Sequence, residues 1–134
     1  MITSVDTSVL LDVFGADRVF GPTSRSTLSD CLATGSVVAC AVVWAEVAGF
    51  FPSPPAAGDA MDTLGVGYSA MQRDAALAAA RSWNAYRQQG GSRQRMVADF
   101  LIGAHALRHA DQLLTRDRGF YRAYFSDLKI LEPG

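Results

Sequence analysis

The sequence predicts an α/β protein with a parallel central sheet of four or five strands and helices on both of its faces. Short apolar runs alternate with helical stretches along the chain, which is the pattern of repeated βαβ units. The 134 residues, of which 49% are apolar, fit a single domain expected over 1–134. This composition is typical of a globular protein rather than a disordered or fibrous one.

The N-terminal segment predicts a strand, an acid and a helix in immediate succession. Ile2 to Val5 is an apolar run, Asp6 follows it directly, and Thr7 and Ser8 suit the start of a helix that continues to Phe14. The other strands are expected at 36–40, 65–70, 112–115 and 128–131. The other helices are expected from 22 to about 35, around 44–49, ahead of 65, at 73–89 and at about 95–109.

Neither the cysteines nor the apolar runs indicate export or a membrane. Cys31 and Cys40 lack a CxxC spacing and suit reduced thiols in a cytosolic protein. The N-terminus has no basic leader. The longest apolar run, 37–51, carries Glu46 and is shorter than the ~20 residues that cross a bilayer. We therefore expect a cytoplasmic protein with no membrane association.

Four acidic residues lie where the carboxyl ends of parallel strands collect functional groups. Asp6 and Asp117 each follow a predicted strand, Glu46 lies early in the helix after the second strand, and Asp99 lies in the first turns of the helix that leads to the fourth. Functional groups gather at this edge, near the point where strand order reverses. We expect the four acids to converge, and the apolar neighbours of Glu46 and Asp99 predict that both are buried.

A shared carboxylate site predicts a divalent cation and hydrolytic chemistry. Buried carboxylates repel one another and are costly to ionise, and a cation removes both costs. Ligands that are all oxygen suit one or two Mg²⁺ or Mn²⁺ ions. A metal-activated water then favours hydrolysis of phosphodiester bonds. For each acid taken alone, a helix cap or a surface salt bridge remains an alternative.

Four sequence segments, in order, carry a resemblance to a known family: Val-Asp-Thr-Ser-Val-Leu-Leu-Asp, Trp-Ala-Glu-Val, Ala-Asp-Phe-Leu-Ile-Gly-Ala-His-Ala and Leu-Leu-Thr-Arg-Asp-Arg-Gly-Phe. Together they resemble the PIN-domain nucleases, and the compact length and closing segment 121–133 most resemble the VapC toxins of bacterial toxin-antitoxin pairs. The resemblance implies an endoribonuclease that cleaves RNA, a cognate VapB-type antitoxin and a homodimer. It also implies that the antitoxin's C-terminal segment lies in the active-site groove, often with an arginine among the acids.

The resemblance also implies roles for individual residues. The acidic quartet that binds metal and carries catalysis is Asp6, Glu46, Asp99 and Asp117. Within it, Asp6 and Asp99 are the principal direct ligands. Three hydroxyl groups are candidates for orienting metal-bound water, with helix capping as the alternative role: Thr7, Ser8 and Thr115.

The C-terminal half of the chain is basic, and almost all of its bases are arginines. The planar guanidinium group binds phosphate with two parallel hydrogen bonds and stacks on bases, which favours an RNA surface. Arg93, Arg95 and Arg116 are the candidates for phosphate contacts. Solvated helix faces are the alternative, because a basic face alone is weak support for nucleic-acid binding.

Three further residues invite other roles. His105 and His109 have the i, i+4 spacing of a zinc site, but the HExxH glutamate and a third ligand are missing, so both are expected on a helix surface. Asp12 is assigned to solvent or to a salt bridge and is excluded from the site.

Two other classes of protein remain as alternatives. One is a non-catalytic RNA-binding or interaction domain of the same fold, against which the four retained acids argue. The other is a phosphotransfer domain of the receiver or haloacid-dehalogenase-like kind, which also places an aspartate after the first strand. The latter kind needs a second aspartate where this chain has Ser8.

Overall fold

A computed structural model describes residues 1–91 and 97–134 of the chain, so Arg93 and Arg95 lie outside the described residues. In this part of the chain the elements follow in the order β1 Ile2–Val5, α1 Thr7–Phe14, α2 Gly21–Thr34, β2 Ser36–Cys40, α3 Ala41–Ala48, α4 Pro54–Leu64, β3 Val66–Ser69, α5 Arg73–Gln88, α6 Val97–His109, β4 Gln112–Leu114, α7 Arg118–Tyr124 and β5 Ile130–Leu131. The five strands predicted from the sequence are confirmed.

The strands form one parallel sheet in the order β3-β2-β1-β4-β5. Strand β1 is central, with Ser4 opposite Val38 of β2 and Val5 opposite Leu114 of β4. The strand order reverses between β1 and β4, since β2 and β3 extend the sheet on one side and β4 and β5 on the other. Helices flank the sheet on both faces, as the βαβ pattern predicts.

Local side-chain chemistry explains where two of the helices begin and end. The Asp6 carboxylate accepts a 2.8 Å hydrogen bond from the Thr7 amide, so Asp6 caps α1, and Thr7 and Ser8 lie within the helix. Ser53 caps α4 by accepting from the Ala56 amide at 3.3 Å. Gly65 ends α4 with a φ of 94°, a left-handed conformation that favours glycine.

Helix α7 is absent from the sequence prediction and completes an aromatic cluster. Phe100 of α6 lies 5.0 to 6.0 Å, between ring centroids, from Trp83, Tyr86, Phe120 and Tyr124. These four rings come from α5 and α7. The five rings therefore pack against one another as part of the hydrophobic core.

No helix within residues 1–91 and 97–134 is long and apolar enough to cross a membrane. Cys31 and Cys40 are buried, free thiols. Neither therefore belongs to a disulfide, in agreement with the prediction from their spacing.

Candidate active site

Asp6 and Thr115 meet at the edge of the sheet where the strand order reverses. The Asp6 amide donates to the Leu114 carbonyl at 2.9 Å, which fixes the end of β1 against β4. The Thr115 hydroxyl donates to Asp6 Oδ2 at 2.7 Å and accepts from the Asp117 amide at 3.0 Å. Residues more than 100 positions apart in sequence are thus joined at a place where α/β folds commonly bind ligands.

Glu46 reaches this edge from helix α3. The Thr7 hydroxyl donates to Glu46 Oε1 at 2.7 Å. The prediction that Glu46 is buried is wrong: Val43 and Val47, one turn apart, occupy the buried face of α3, and Glu46 is exposed. Asp99 is half-buried at the start of α6, so its predicted burial is only partly correct.

The carboxyl group of Asp6 is strongly affected by its surroundings. The pKa of Asp6 is raised to about 6: burial is the largest cause and the charges of Asp99 and Glu46 add to it, while hydrogen bonds from Thr115 and Thr7 oppose the rise. Only 7% of the Asp6 surface is exposed. The predicted convergence is therefore seen for Asp6, Glu46 and Asp99 through their charges, and for the Asp117 backbone through Thr115.

The side chains of the predicted site that meet Asp6 offer oxygen atoms, from the carboxylates of Glu46 and Asp99 and the hydroxyl of Thr115. Among the residues that the structure describes, no three acidic, histidine or cysteine side chains form a ready-made metal site. Ser8 Oγ, on α1 beside Thr7, is buried and has no hydrogen-bond partner among the residues that the structure describes. An all-oxygen donor set with a spare hydroxyl fits a hard cation that keeps several of its waters, since Mg²⁺ is commonly held by only one or two carboxylates.

Asp12 and Arg116 form an ion pair behind the site. Arg116 donates to the two carboxylate oxygens of Asp12 at 2.8 and 3.0 Å, and the Ser24 hydroxyl donates to the same carboxylate at 2.8 Å. The salt-bridge assignment of Asp12 is confirmed, whereas the solvent assignment is wrong, because Asp12 is 4% exposed. Two nitrogens of Arg116, a candidate for phosphate contact, are occupied by Asp12. Sequence offered no pointer to this pair, whose members lie 104 residues apart.

The histidines of α6 differ from their predicted placement. His105 is fully buried, with Nε2 2.9 Å from Ser69 Oγ, so its assignment to a helix surface is wrong. Helix α6 is apolar on nearly every side, and no surface face remains at this position. Burial, assisted by the neighbouring His109, lowers the pKa of His105 to about 4. His109 instead accepts from the Gln72 amide at 3.4 Å and is half-buried.

Comparisons with known proteins agree with this architecture. The PIN domain family model matches residues 4–126. A search of the curated proteins finds no match. Among solved structures, a chain of VapBC2 from Rickettsia felis, bound to a DNA fragment from their promoter, is 15% identical with a TM-score of 0.77, covering 98% of both chains.

Two further solved structures have similar folds. VapBC-1 from nontypeable Haemophilus influenzae is 20% identical with a TM-score of 0.75, covering 98% of both chains. The Mycobacterium tuberculosis toxin VapC20, which cleaves the sarcin-ricin loop, is 16% identical with a TM-score of 0.62, covering 95% of this chain and 98% of that one. Identities this low show a shared fold.

Proposed function

This chain belongs to the PIN domain family, and on that premise we propose that it is a metal-dependent endoribonuclease, the toxin of a VapBC-type toxin-antitoxin pair. The observation that carries the proposal is Asp6. Its buried carboxylate lies where the strand order reverses, bonded to Thr115, with the charges of Glu46 and Asp99 nearby. Carboxylates collected at a ligand-binding edge favour a cation and a phosphodiester substrate.

The cation in this proposal is Mg²⁺ or Mn²⁺, as one or two ions. Asp6 and Asp99 would hold it directly, and Glu46 and Asp117 would complete the acidic ring. The unpartnered Ser8 Oγ and the oxygen-only donor set support this choice. When bound, such an ion makes a water more acidic and stabilises charge on the phosphate under attack.

The hydroxyl groups of the chain hold the acids in place. Thr115 donates to Asp6 and accepts from the backbone of Asp117, and Thr7 donates to Glu46. Each of these hydrogen bonds orients one carboxylate or the loop that carries it. Side chains held in this way need little rearrangement when the substrate phosphate arrives, which lowers the barrier to reaction.

The proposed partner is a VapB-type antitoxin, since two of the similar folds come from VapBC complexes. An apolar surface suits it: Phe50 is 73% exposed beside a hollow of about 340 Å³ lined by Leu11, Phe14, Gly15, Phe50 and Phe51. An amphipathic antitoxin segment docked there, with an arginine that reaches the acids, would silence the site. A homodimer and a cytoplasmic location complete the proposal.

The test is sequencing of RNA ends after brief expression of the chain in a bacterium. The parent is compared with Asp6→Asn and with Asp30→Asn, which removes an exposed acid on α2. We expect new 5′ ends at a few sites with the parent and with Asp30→Asn, and none with Asp6→Asn. Identical ends from the parent and Asp6→Asn would instead favour a non-catalytic RNA-binding domain of the same fold.

A further inference from the structure

Asp12 and Arg116 tie the loop after β4 to helix α1. Arg116 lies between Thr115 and Asp117, the two residues that connect this loop to Asp6. Its Nε and Nη2 atoms donate to separate oxygens of Asp12 at 2.8 and 3.0 Å. Two parallel hydrogen bonds from a planar fork fix both the position and the orientation of the guanidinium group.

Other side chains hold the two partners from further directions. The buried Ser24 hydroxyl of α2 donates to Asp12 at 2.8 Å. The Phe20 ring lies against the Arg116 guanidinium, 4.1 Å from ring centroid to Cζ. The ion pair is therefore part of a network that joins α1, the start of α2 and the loop after β4.

Helix α1 consequently contacts that loop at two points. Asp6 caps the helix and binds Thr115, and Asp12, six residues further along the helix, binds the next residue of the loop, Arg116. We propose that Arg116 and Asp12 are positioning residues, which set where Thr115 and Asp117 lie relative to Asp6. This inference rests on the proposed function.

A direct contact between Arg116 and RNA is the competing explanation. Asp12 allows this explanation to be distinguished from a positioning role. Asp12 is 4% exposed, so substrate cannot reach it. A phosphate contact acts on binding and weakens with salt, whereas a displaced loop acts on turnover. Loss of the ion pair from either partner should therefore lower kcat if positioning is the role.

The experiment uses the full chain and Arg116→Lys, which keeps the charge and loses the fork. The matched control is Arg118→Met, two positions along, where the arginine forms an exposed ion pair with Glu132 at 3.1 Å. For Arg116→Lys we expect kcat on RNA to fall about 10- to 100-fold, as misplacement of about 1 Å does elsewhere, with KM within about twofold of the parent. Arg118→Met should match the parent.

A second readout does not depend on cleavage. The Asp117 amide donates to Thr115 Oγ1, so its hydrogen exchange reports how firmly the loop is held. We expect exchange at least about tenfold faster in Arg116→Lys and unchanged in Arg118→Met. Should Arg116→Lys not fold, the double variant Asp12→Leu, Arg116→Met replaces the pair by apolar side chains, a change that commonly keeps stability, and the same effects are expected.

Two results would overturn the proposal: an unchanged kcat, whether or not KM rises, or Asp117 exchange equal to that of the parent. If the parent itself cleaves no RNA, the proposed function fails and the exchange measurement alone decides. Parental exchange in the variants then rejects positioning, and faster exchange upholds it.

Discussion

Helix α1 carries two buried aspartates that differ in the charges facing them. Asp12 faces the guanidinium of Arg116 and the hydroxyl of Ser24. The Asp6 carboxylate accepts hydrogen bonds from the Thr7 amide and the Thr115 hydroxyl, and the carboxylates of Asp99 and Glu46 lie nearby. Burial alone thus does not distinguish the salt-bridged carboxylate of Asp12 from the Asp6 carboxylate that is proposed to hold a cation. The balance of charge does, because a buried carboxylate surrounded by other carboxylates is stabilised by an added cation.

The largest expected difference between these regions is in catalysis. Asp6→Asn and Asp99→Asn remove charge while keeping shape, so each should lower kcat on RNA by on the order of a thousandfold or more. Asp30→Asn, on the exposed face of α2, should leave kcat unchanged.

EDTA should also abolish cleavage of purified RNA, and Mg²⁺ or Mn²⁺, but not Ca²⁺, should restore it. Full activity in chelator, or in both site variants, would remove the distinction between the two aspartates.

Stability should change in opposite directions at the two positions. The pKa of Asp6 is raised from 3.8 to about 6, so folded-state stability falls as pH rises through this window. Asp6→Asn should therefore be more stable than the parent at pH 7 in EDTA, by up to roughly 3 kcal/mol. Asp12→Asn leaves Arg116 without its charge partner and should cost about 3 kcal/mol. Urea unfolding measures both, and destabilisation by both variants would contradict the comparison.

His105 extends the comparison to a buried base. Its pKa is lowered from 6.5 to about 4, so the unfolded chain takes up a proton first and folding stability is lost as pH falls from about 6.5 towards 4. The loss should reach roughly 2 to 3 kcal/mol. The contribution of Asp6 to folding stability has the opposite pH dependence over an overlapping range. Urea unfolding should therefore compare the single variant Asp6→Asn with the double variant that carries both Asp6→Asn and His105→Gln. A pH slope that is the same in both would show that His105 does not titrate as described.

The smallest expected effect is stabilisation by the metal itself. At about ten times its dissociation constant, Mn²⁺ should stabilise the parent and Asp30→Asn by roughly 1.4 kcal/mol through mass action. Asp6→Asn should lose this gain, and Asp12→Asn should keep it. Thermal unfolding with and without Mn²⁺ gives the answer without RNA. Equal stabilisation of Asp6→Asn and the parent would place the cation elsewhere.

Local patterns predicted the parts of this protein that depend on neighbouring residues. The apolar run ending at Val5 predicted both β1 and the position of Asp6 at its carboxyl end. Thr115, in contrast, was singled out only by the resemblance to a known family. Glu46 was predicted to be buried because its neighbours are apolar, but Val43 and Val47 take the buried face of α3. Seven-residue helix α7 was missed because its length gives little periodicity.

Contacts between residues far apart in the sequence could not be predicted from local patterns. The contact of Asp12 with Arg116 and the burial of His105 against Ser69 each join separate elements. Sequence spacing carries information about one helix or strand at a time, and it does not report which helix face meets which strand. The fold class and the position of Asp6 at the end of β1 were therefore within reach, whereas the hydrogen bonds and ion pairs that join distant elements were not.

The central place of β1 in the sheet has a consequence for the order of events during synthesis. Its partner β2 follows within 40 residues, but β4 and Thr115 are made only after more than 110. Until then Asp6 has neither its hydrogen bond from Thr115 nor the loop of Asp117. A growing chain on the ribosome therefore contains the first acid of the site long before the site exists. Under the proposed function, a chain of this topology acquires its complete RNA-cleaving site only after most of its own message has been translated.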